Sequence, residues 1–531
     1  VTQPTSAPGT ADSVFVPERR GHGHPWLALL AVSLGLMMVM LDATVVAIAN
    51  PAIGKDLHAS LSDLQWVTNA YLLAVAVLII TAGKAGDRFG RKRVFLTGVV
   101  GFALASGACG LAPSIGALIG FRAVQGLMGA LLMPSTLAII RAAFPDRLLQ
   151  QAIGIWAGVS MAAVASGPIV AGLIIQHASW RWVFYLNVPI ALVAVCVGGW
   201  VIAESRDEKA VEERFDLAGM AVLCVSLFAL VWGIIKSQSL GWGDVVVISS
   251  LASSALGFFL FALREREAAH PLLPLRLFRK LSLSVGVVLM LMLAFALFGV
   301  VFFLSLYLQR VRGYSPVETG VRTLPLTAML VVAAPIGGVL SARLGPRPPL
   351  VAGMALLGVG MLGLSKLGWR TDYSDIWPWL VAIGLALGLV QAAAAQTILG
   401  NAPVRMAGVA GGLQQTSLQI GGALGTAVLG AVLAGRVKAT LLGDLTQAGV
   451  PRAVARLIMP YSGYVAQGVS PASSPLLPAS LKPAVTEGAF NAFSSALDVA
   501  FVVAACVAFA AALLALLIRK ERSVSEGKRP D

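Results

Sequence analysis

Long apolar runs, each separated by a short polar or glycine-rich interval, set the rhythm of this chain. Runs that could cross the roughly 30 Å hydrocarbon core of a bilayer as a helix of about 20 residues lie near 26–49, 64–83, 94–112, 115–139, 152–175, 182–203 and 217–236. A second set lies near 244–263, 282–308, 318–341, 349–367, 377–399, 407–434 and 490–518. The pattern predicts an all-α polytopic membrane protein of about fourteen spans. Spans 3 and 4, like spans 5 and 6, are joined by short turns, and an even number of crossings puts both ends on one side.

Charge chooses that side. Of the 39 Lys and Arg, about 25 fall on segments that share a side with the ends and about 13 on or near the other, and Arg122 lies well inside a span. About five of those 13 belong to the connection 435–489, so the short loops divide about 25 to 8 and the positive-inside rule makes both ends cytoplasmic. Trp180, Trp182, Trp377 and Trp379 fall near outer span ends, where aromatic belts form.

Composition agrees. The chain is 57% hydrophobic and 12% charged, against roughly 25% charged in soluble domains. The net charge of +14 therefore reads as cytoplasmic anchoring and not as a nucleic-acid surface. Cys109, Cys196, Cys224 and Cys506 sit singly in apolar runs, and all five histidines lie in tails or connections, so no metal-ligand set is expected inside the membrane. The first run carries Asp42 and no cleavage pattern follows it, so it reads as a retained helix and not a signal peptide.

Organisation follows from where the charges cluster. Residues 1–25 are rich in Pro, Gly, Ser and Thr and read as a disordered cytoplasmic tail, with a second cytoplasmic tail at 519–531. The charged stretches 204–216 and 264–281 bracket spans 7 and 8, which read as a pair (204–281) inserted between six-helix halves at 26–203 and 282–518. The segment 435–489 is too polar and proline-rich to span, although 452–459 could form a short surface helix. An internal repeat supports the two halves: Gly83, Arg88, Gly90 and Lys92 after span 2 align with Gly338, Arg343, Gly345 and Arg347 after span 10. Equivalent turns in each half are the layout of a secondary transporter built from parallel repeats.

The first of these turns, GKAGDRFGRKR (83–93), has Gly86 and Gly90 for a tight reversal, Asp87 to cap or pair with a helix end, and Arg88, Arg91, Lys92 and Arg93 at the anionic face. It reads either as a basic anchor or, on its Gly-x-x-x-Asp-x-x-Gly pattern, as a conformational latch formed by Gly83, Asp87, Arg88, Gly90 and Arg91. The segment resembles the signature turn of the major facilitator superfamily, with Ala85 where that family usually has Leu. The fourteen spans resemble its drug:proton antiporter branch, whose fold would be two six-helix halves plus two inserted helices.

Three further stretches are similar to motifs of that branch: LDATVVAIANPAI (41–53), FRAVQGLMGA (121–130) and GIWAGVSMAAVASGPIVAG (154–172). Asp42 in the first is costly in hydrocarbon unless paired or protonated, which marks it as functional. Arg122 in the second lies at similar depth, so the two are expected to find each other and form a proton-coupling pair. In the third, Gly154, Gly167, Pro168 and Gly172 match the antiporter motif, Ala163 and Ala171 replace glycines, and Pro168 is expected to bend the helix. WRWVFYLNVP (180–189) is also similar to the branch. Gln415 and Gln419 share a helix face, and with Asn50, Asn69 and Gln391 they either line a polar cavity or bond between helices.

Together these readings imply a proton-driven exporter of small organic drugs or antibiotics in the cytoplasmic membrane, conferring resistance. It would use no cofactor but the proton, bind no nucleic acid, and lack the GxxxxGK[ST] loop for ATP. The Ala-, Gly-, Val- and Arg-rich composition and a first residue Val suggest a high-GC bacterium with an alternative start codon. The rival readings are a dedicated exporter or importer of one metabolite and, from another class, a membrane enzyme or receptor.

Overall fold

The computed structural model describes residues 24–206, 216–268, 271–403, 406–474 and 477–518. The expected tails at 1–25 and 519–531, apart from residues 24 and 25, lie outside the described residues, as does most of the charged stretch 204–216. Among the described residues, fourteen helices are long and apolar enough to cross a membrane. In the N-terminal half these are α1 (Pro25–Asp56), α2 (Leu61–Phe89), α3 (Arg91–Gly110), α4 (Ile115–Ala143), α5 (Arg147–His177) and α6 (Arg181–Val201). There follow α7 (Leu217–Leu240) and α8 (Val245–Glu267). The C-terminal half holds α9 (Leu281–Val311), α10 (Pro316–Leu344), α11 (Arg347–Leu364), α12 (Tyr373–Gly400), α13 (Gly408–Gln447) and α14 (Ala479–Ala515). No strand occurs among the described residues; where lipid replaces water, only intrahelical bonding satisfies every backbone N–H and C=O.

Three expectations are corrected. α13 continues to Gln447 and α14 begins at Ala479, so the outer connection is much shorter than 435–489. Both helices outrun a bilayer core, which needs only about 20 residues, and the segment between them carries the short helix Arg452–Ile458. α1 runs to Asp56 rather than stopping near 49, which places Asp42 about 20 Å from the helix's outer end at 1.5 Å per residue. Trp180 is not a belt residue: it is buried, and its indole N–H donates to Asp56 Oδ2 at 3.0 Å, while Trp182 and Trp377 are exposed.

The turn after α2 is a single residue. Gly90 has φ +103° and α3 begins at the next position, so Gly86, expected to share the turn, is helical. After α10, Gly345 repeats the device at φ +86°. Left-handed backbone of this kind is where glycine escapes a Cβ clash. Asp87 pairs with Arg91 at 2.9 Å in its own turn, and Glu204, just past α6, caps α3 by accepting from the Lys92 backbone N–H at 3.1 Å. A carboxylate at a helix N-terminus is favourable because it meets unpaired N–H groups.

α7 and α8 pack on each other and are stapled at the cytoplasmic side. Asp216 accepts from the Gly219 N–H at 2.9 Å and from Arg264 Nη2 at 2.6 Å. The Arg264 bond holds the Asp216 carboxyl below the usual carboxylate range. The staple therefore stabilises at neutral pH and is lost as pH falls through that lowered pKa. Asp216→Asn is expected to melt earlier than the parent at pH 7 in detergent, with the gap closing below about pH 4; a gap that widens in acid would contradict this.

Candidate proton-coupling site

Hydrocarbon solvates neither a carboxylate nor a guanidinium, so each must find its partners inside the protein. Asp42 on α1 and Arg122 on α4 do so directly, with Arg122 Nη1 2.5 Å from Asp42 Oδ2 and both side chains at 2% exposure or less. Gln125, three residues after Arg122 and so on the same helix face, closes a triangle. Its Nε2 donates to Asp42 Oδ1 at 2.9 Å, and its Oε1 accepts from Arg122 Nη1 at 2.7 Å. Both carboxylate oxygens are thereby satisfied. Arg122 Nε donates to the Val67 carbonyl on α2 at 3.1 Å, and its guanidinium lies 4.2 Å from the Tyr71 ring centroid and 5.8 Å from that of Phe184. Cation–π contact suits a charge that has left water. Cys109 adds a weak S–H bond to Gln125 Oε1 at 3.7 Å.

The site borders the junction of the halves. A cavity of about 20 Å³, room for one water, is lined by Thr68, Tyr71 and Arg122 from one half and Phe298, Phe302 and Thr426 from the other. Gly167 on α5 fits against Thr44, two residues beyond Asp42: a Cβ there would stand 1.9 Å from Thr44 Oγ1. On the outer side the halves are shut. Gln309 Nε2 on α9 donates to the Ile48 carbonyl at 3.0 Å, and Arg310 donates to the Pro51 carbonyl. α5 meets α10 backbone to backbone, because Gly172 abuts Pro316 and Gly320 abuts Pro168.

The chain carries the match of a family model described as Major Facilitator Superfamily over residues 32–426. The chain belongs to the major facilitator superfamily. A tetracenomycin C resistance and export protein of Streptomyces glaucescens is 47% identical over 94% of this chain and 92% of its own length. Multidrug resistance protein Stp of Mycobacterium tuberculosis is 37% identical over 82% of this chain and 80% of its own. Multidrug efflux pump LfrA of Mycolicibacterium smegmatis is 30% identical over 96% and 98%. Among solved structures, a bacterial homologue of the human lysosomal transporter Spinster shares the fold, with a TM-score of 0.63 at 20% identity over 93% of this chain and 98% of that one. The protein is thus a multi-pass membrane protein of this superfamily.

Within this superfamily member the expected site residues separate into groups. The structure brings Asp42 and Arg122 together, and gathers Asp87, Arg91 and Gly90 in the cytoplasmic turn, with Gly83 and Arg88 on the last turns of α2. Gly167, Pro168 and Gly172 form contacts, whereas a Cβ on Gly154 would meet no other helix within 4 Å, and α5 continues as one helix through Pro168. Among the polar candidates, Asn69 Oδ1 accepts from Thr426 Oγ1 at 2.7 Å, an interhelical bond between halves. Asn50 is buried with neither amide atom partnered. Gln415 is half-buried and reaches Met133 Sδ of α4 at 3.9 Å, while Gln391 and Gln419 are half-buried on α12 and α13.

Four residues escaped sequence reasoning. Tyr71, Phe184 and Glu204 act through contacts distant in sequence, which no local pattern announces. Asp498, half-buried on α14 with Oδ1 unpartnered, was accessible to the same argument that marks Asp42. Removing one partner of a buried pair leaves the other charge stranded, at a cost of about 3–5 kcal/mol. Asp42→Asn should therefore unfold well below the parent in detergent melts, and Asp42→Asn/Arg122→Gln should recover part of that loss. Equal melting of the single variant and the parent would mean the ion pair contributes nothing.

Proposed function

We propose that the protein is a proton-coupled antiporter that exports small organic compounds, antibiotics among them, and that Asp42 is the residue that takes up and releases the proton. The observation that carries this reading is the closed Asp42–Arg122–Gln125 triangle, removed from water and next to a cavity shared by both halves. Protonating Asp42 cancels the charge that holds α1 to α4. Arg122 keeps the Val67 carbonyl, Gln125 Oε1 and the Tyr71 and Phe184 rings as neutral partners but loses its only counter-charge, which favours a rearrangement of the helices around it. The change is then a loss of ionic attraction between two helices of one half, close to Thr44 and Gly167, through which α5 packs on α1. A switch of this sort needs two arrangements of nearly equal energy, and the pair supplies the bias.

The driving force is sufficient. One charge moved through 100 mV is worth about 2.3 kcal/mol, which sustains roughly a fiftyfold gradient. Export, resistance and multidrug efflux are the activities named for the relatives at 47%, 37% and 30% identity, and they support that direction of transport here. The first is named for one antibiotic and the other two for many drugs, so the breadth of cargo is decided by survival of pump-deficient cells against a chemically diverse panel. The protein acts as a transporter, without chemistry on its cargo.

In proteoliposomes with an imposed pH gradient, Asp42→Asn is expected to lose about 100-fold or more of its driven transport, the size expected when a positioned proton carrier is removed. It should keep its cargo affinity, measured by direct binding. Undiminished pH-driven flux would remove Asp42 from the coupling.

A further inference from the structure

The two halves meet along two lateral seams, α2 with α13 and α5 with α10, and the seams are built differently. Gly172 and Gly154 are eighteen residues, five turns, apart and lie on one face of α5. At Gly172 that face abuts Pro316 and Val317 of α10; towards the cytoplasm Gly158 and Gly154 are exposed, and a Cβ on either would meet nothing within 4 Å. α10 shows the same asymmetry, because Pro335, five turns below Val317, is exposed. This seam is closed outside and open inside.

The other seam is closed along nearly its whole length. Gln65 Nε2 donates to the Thr426 carbonyl at 2.6 Å near the outer side. Thr416 Oγ1 donates to the Ala76 carbonyl at 3.2 Å, and a Cβ on Gly412, close to the cytoplasmic end of α13, would stand 3.9 Å from the Cβ of Ile80. α7 covers this seam. Trp66 of α2 packs on Phe228 and Trp232 of α7, with centroids 5.2 and 5.8 Å apart. Ala423, Ala427 and Ala431, one turn apart on α13, join the apolar cluster that holds Leu227 and Val231 of α7, and such small residues let helices approach closely. Gln65 ties the three helices together, since its Oε1 accepts from Gln238 Nε2 of α7 at 2.6 Å while its Nε2 holds α13.

We propose that the inserted pair α7–α8 pins the α2–α13 seam as a hinge, so that the halves part on the cytoplasmic side only along α5–α10, with Gln65 as the positioning residue at the pin. The inference rests on the transporter reading but not on proton coupling. The inserted helices then have a mechanical role, because a rigid cover on one seam makes the opening one-sided.

Two disulfides joining the same halves on the same side decide it, in a background with the exposed Cys196, Cys224 and Cys506 changed to Ser. Ile80→Cys/Gly412→Cys has a Cβ separation suited to a disulfide. Gly158→Cys/Val331→Cys spans the other seam, each residue fourteen positions inward from the outer contact. Oxidation of the first pair is expected to leave transport within about twofold of its reduced form, and oxidation of the second to lower it about tenfold or more, reversibly with dithiothreitol, as for a trapped gating motion. Loss of transport in the oxidised 80–412 protein, full transport in the oxidised 158–331 protein, or no disulfide at 158–331 would each overturn the hinge. Spin labels at the same pairs give an answer independent of flux: the 80–412 distance should hold constant on adding cargo while the 158–331 distance becomes bimodal. If the parent moves no cargo, the transporter reading fails on its own, and the two distances still judge the hinge.

Discussion

A charge in hydrocarbon has no solvent to fall back on, and the N-terminal half is arranged around that constraint. Asp42 and Arg122 neutralise each other, Gln125 satisfies what remains of the carboxylate, and the faces of Tyr71 and Phe184 flank the guanidinium. Helices α1, α2, α4 and α6 converge on one ion pair. Because either member alone would be stranded, the pair also fixes how α1, α2 and α4 sit together. In the proposed function the proton is the ligand that alters that arrangement, and it needs no space to do so.

Elsewhere the packing relies on close backbone approach rather than charge. Lipid offers no hydrophobic drive between helices, so contact is gained by letting chains come near. Gly172 against Pro316 and Gly320 against Pro168 do this across the outer part of one seam, and across the other Gly430 leaves room for the Gln65 side chain, whose Nε2 a Cβ would displace. The same kind of residue therefore serves both seams. What distinguishes them is what lies over them: among the described residues nothing packs on Gly154 or Gly158 of α5, whereas α7 lays Phe228 and Trp232 on α2.

Much of the fold was legible because the bilayer enforces a length and a polarity on every crossing. The fourteen spans, the equivalent breaks at Gly90 and Gly345, and the partnership of Asp42 with Arg122 all follow from rules that act along one helix or at one depth. Errors came where protein, not lipid, receives the chain. Polar residues beyond 434 do not end α13, because α14 packs against it past the bilayer, with Gly488 against Leu445. Trp180 is held inward by Asp56, a partner 124 positions away.

By itself the sequence determined the number and direction of the crossings and which buried charges had to meet, since hydrocarbon excludes unpaired backbone and unpaired ions wherever they occur. Only the tertiary structure decided that Gln125, Tyr71 and Phe184 complete the site, that Gly154 stands free while Gly172 is gripped, and that α7 lies over the α2–α13 seam. Those outcomes depend on which helix faces meet across hundreds of residues, and periodicity along one helix carries no information about its neighbour.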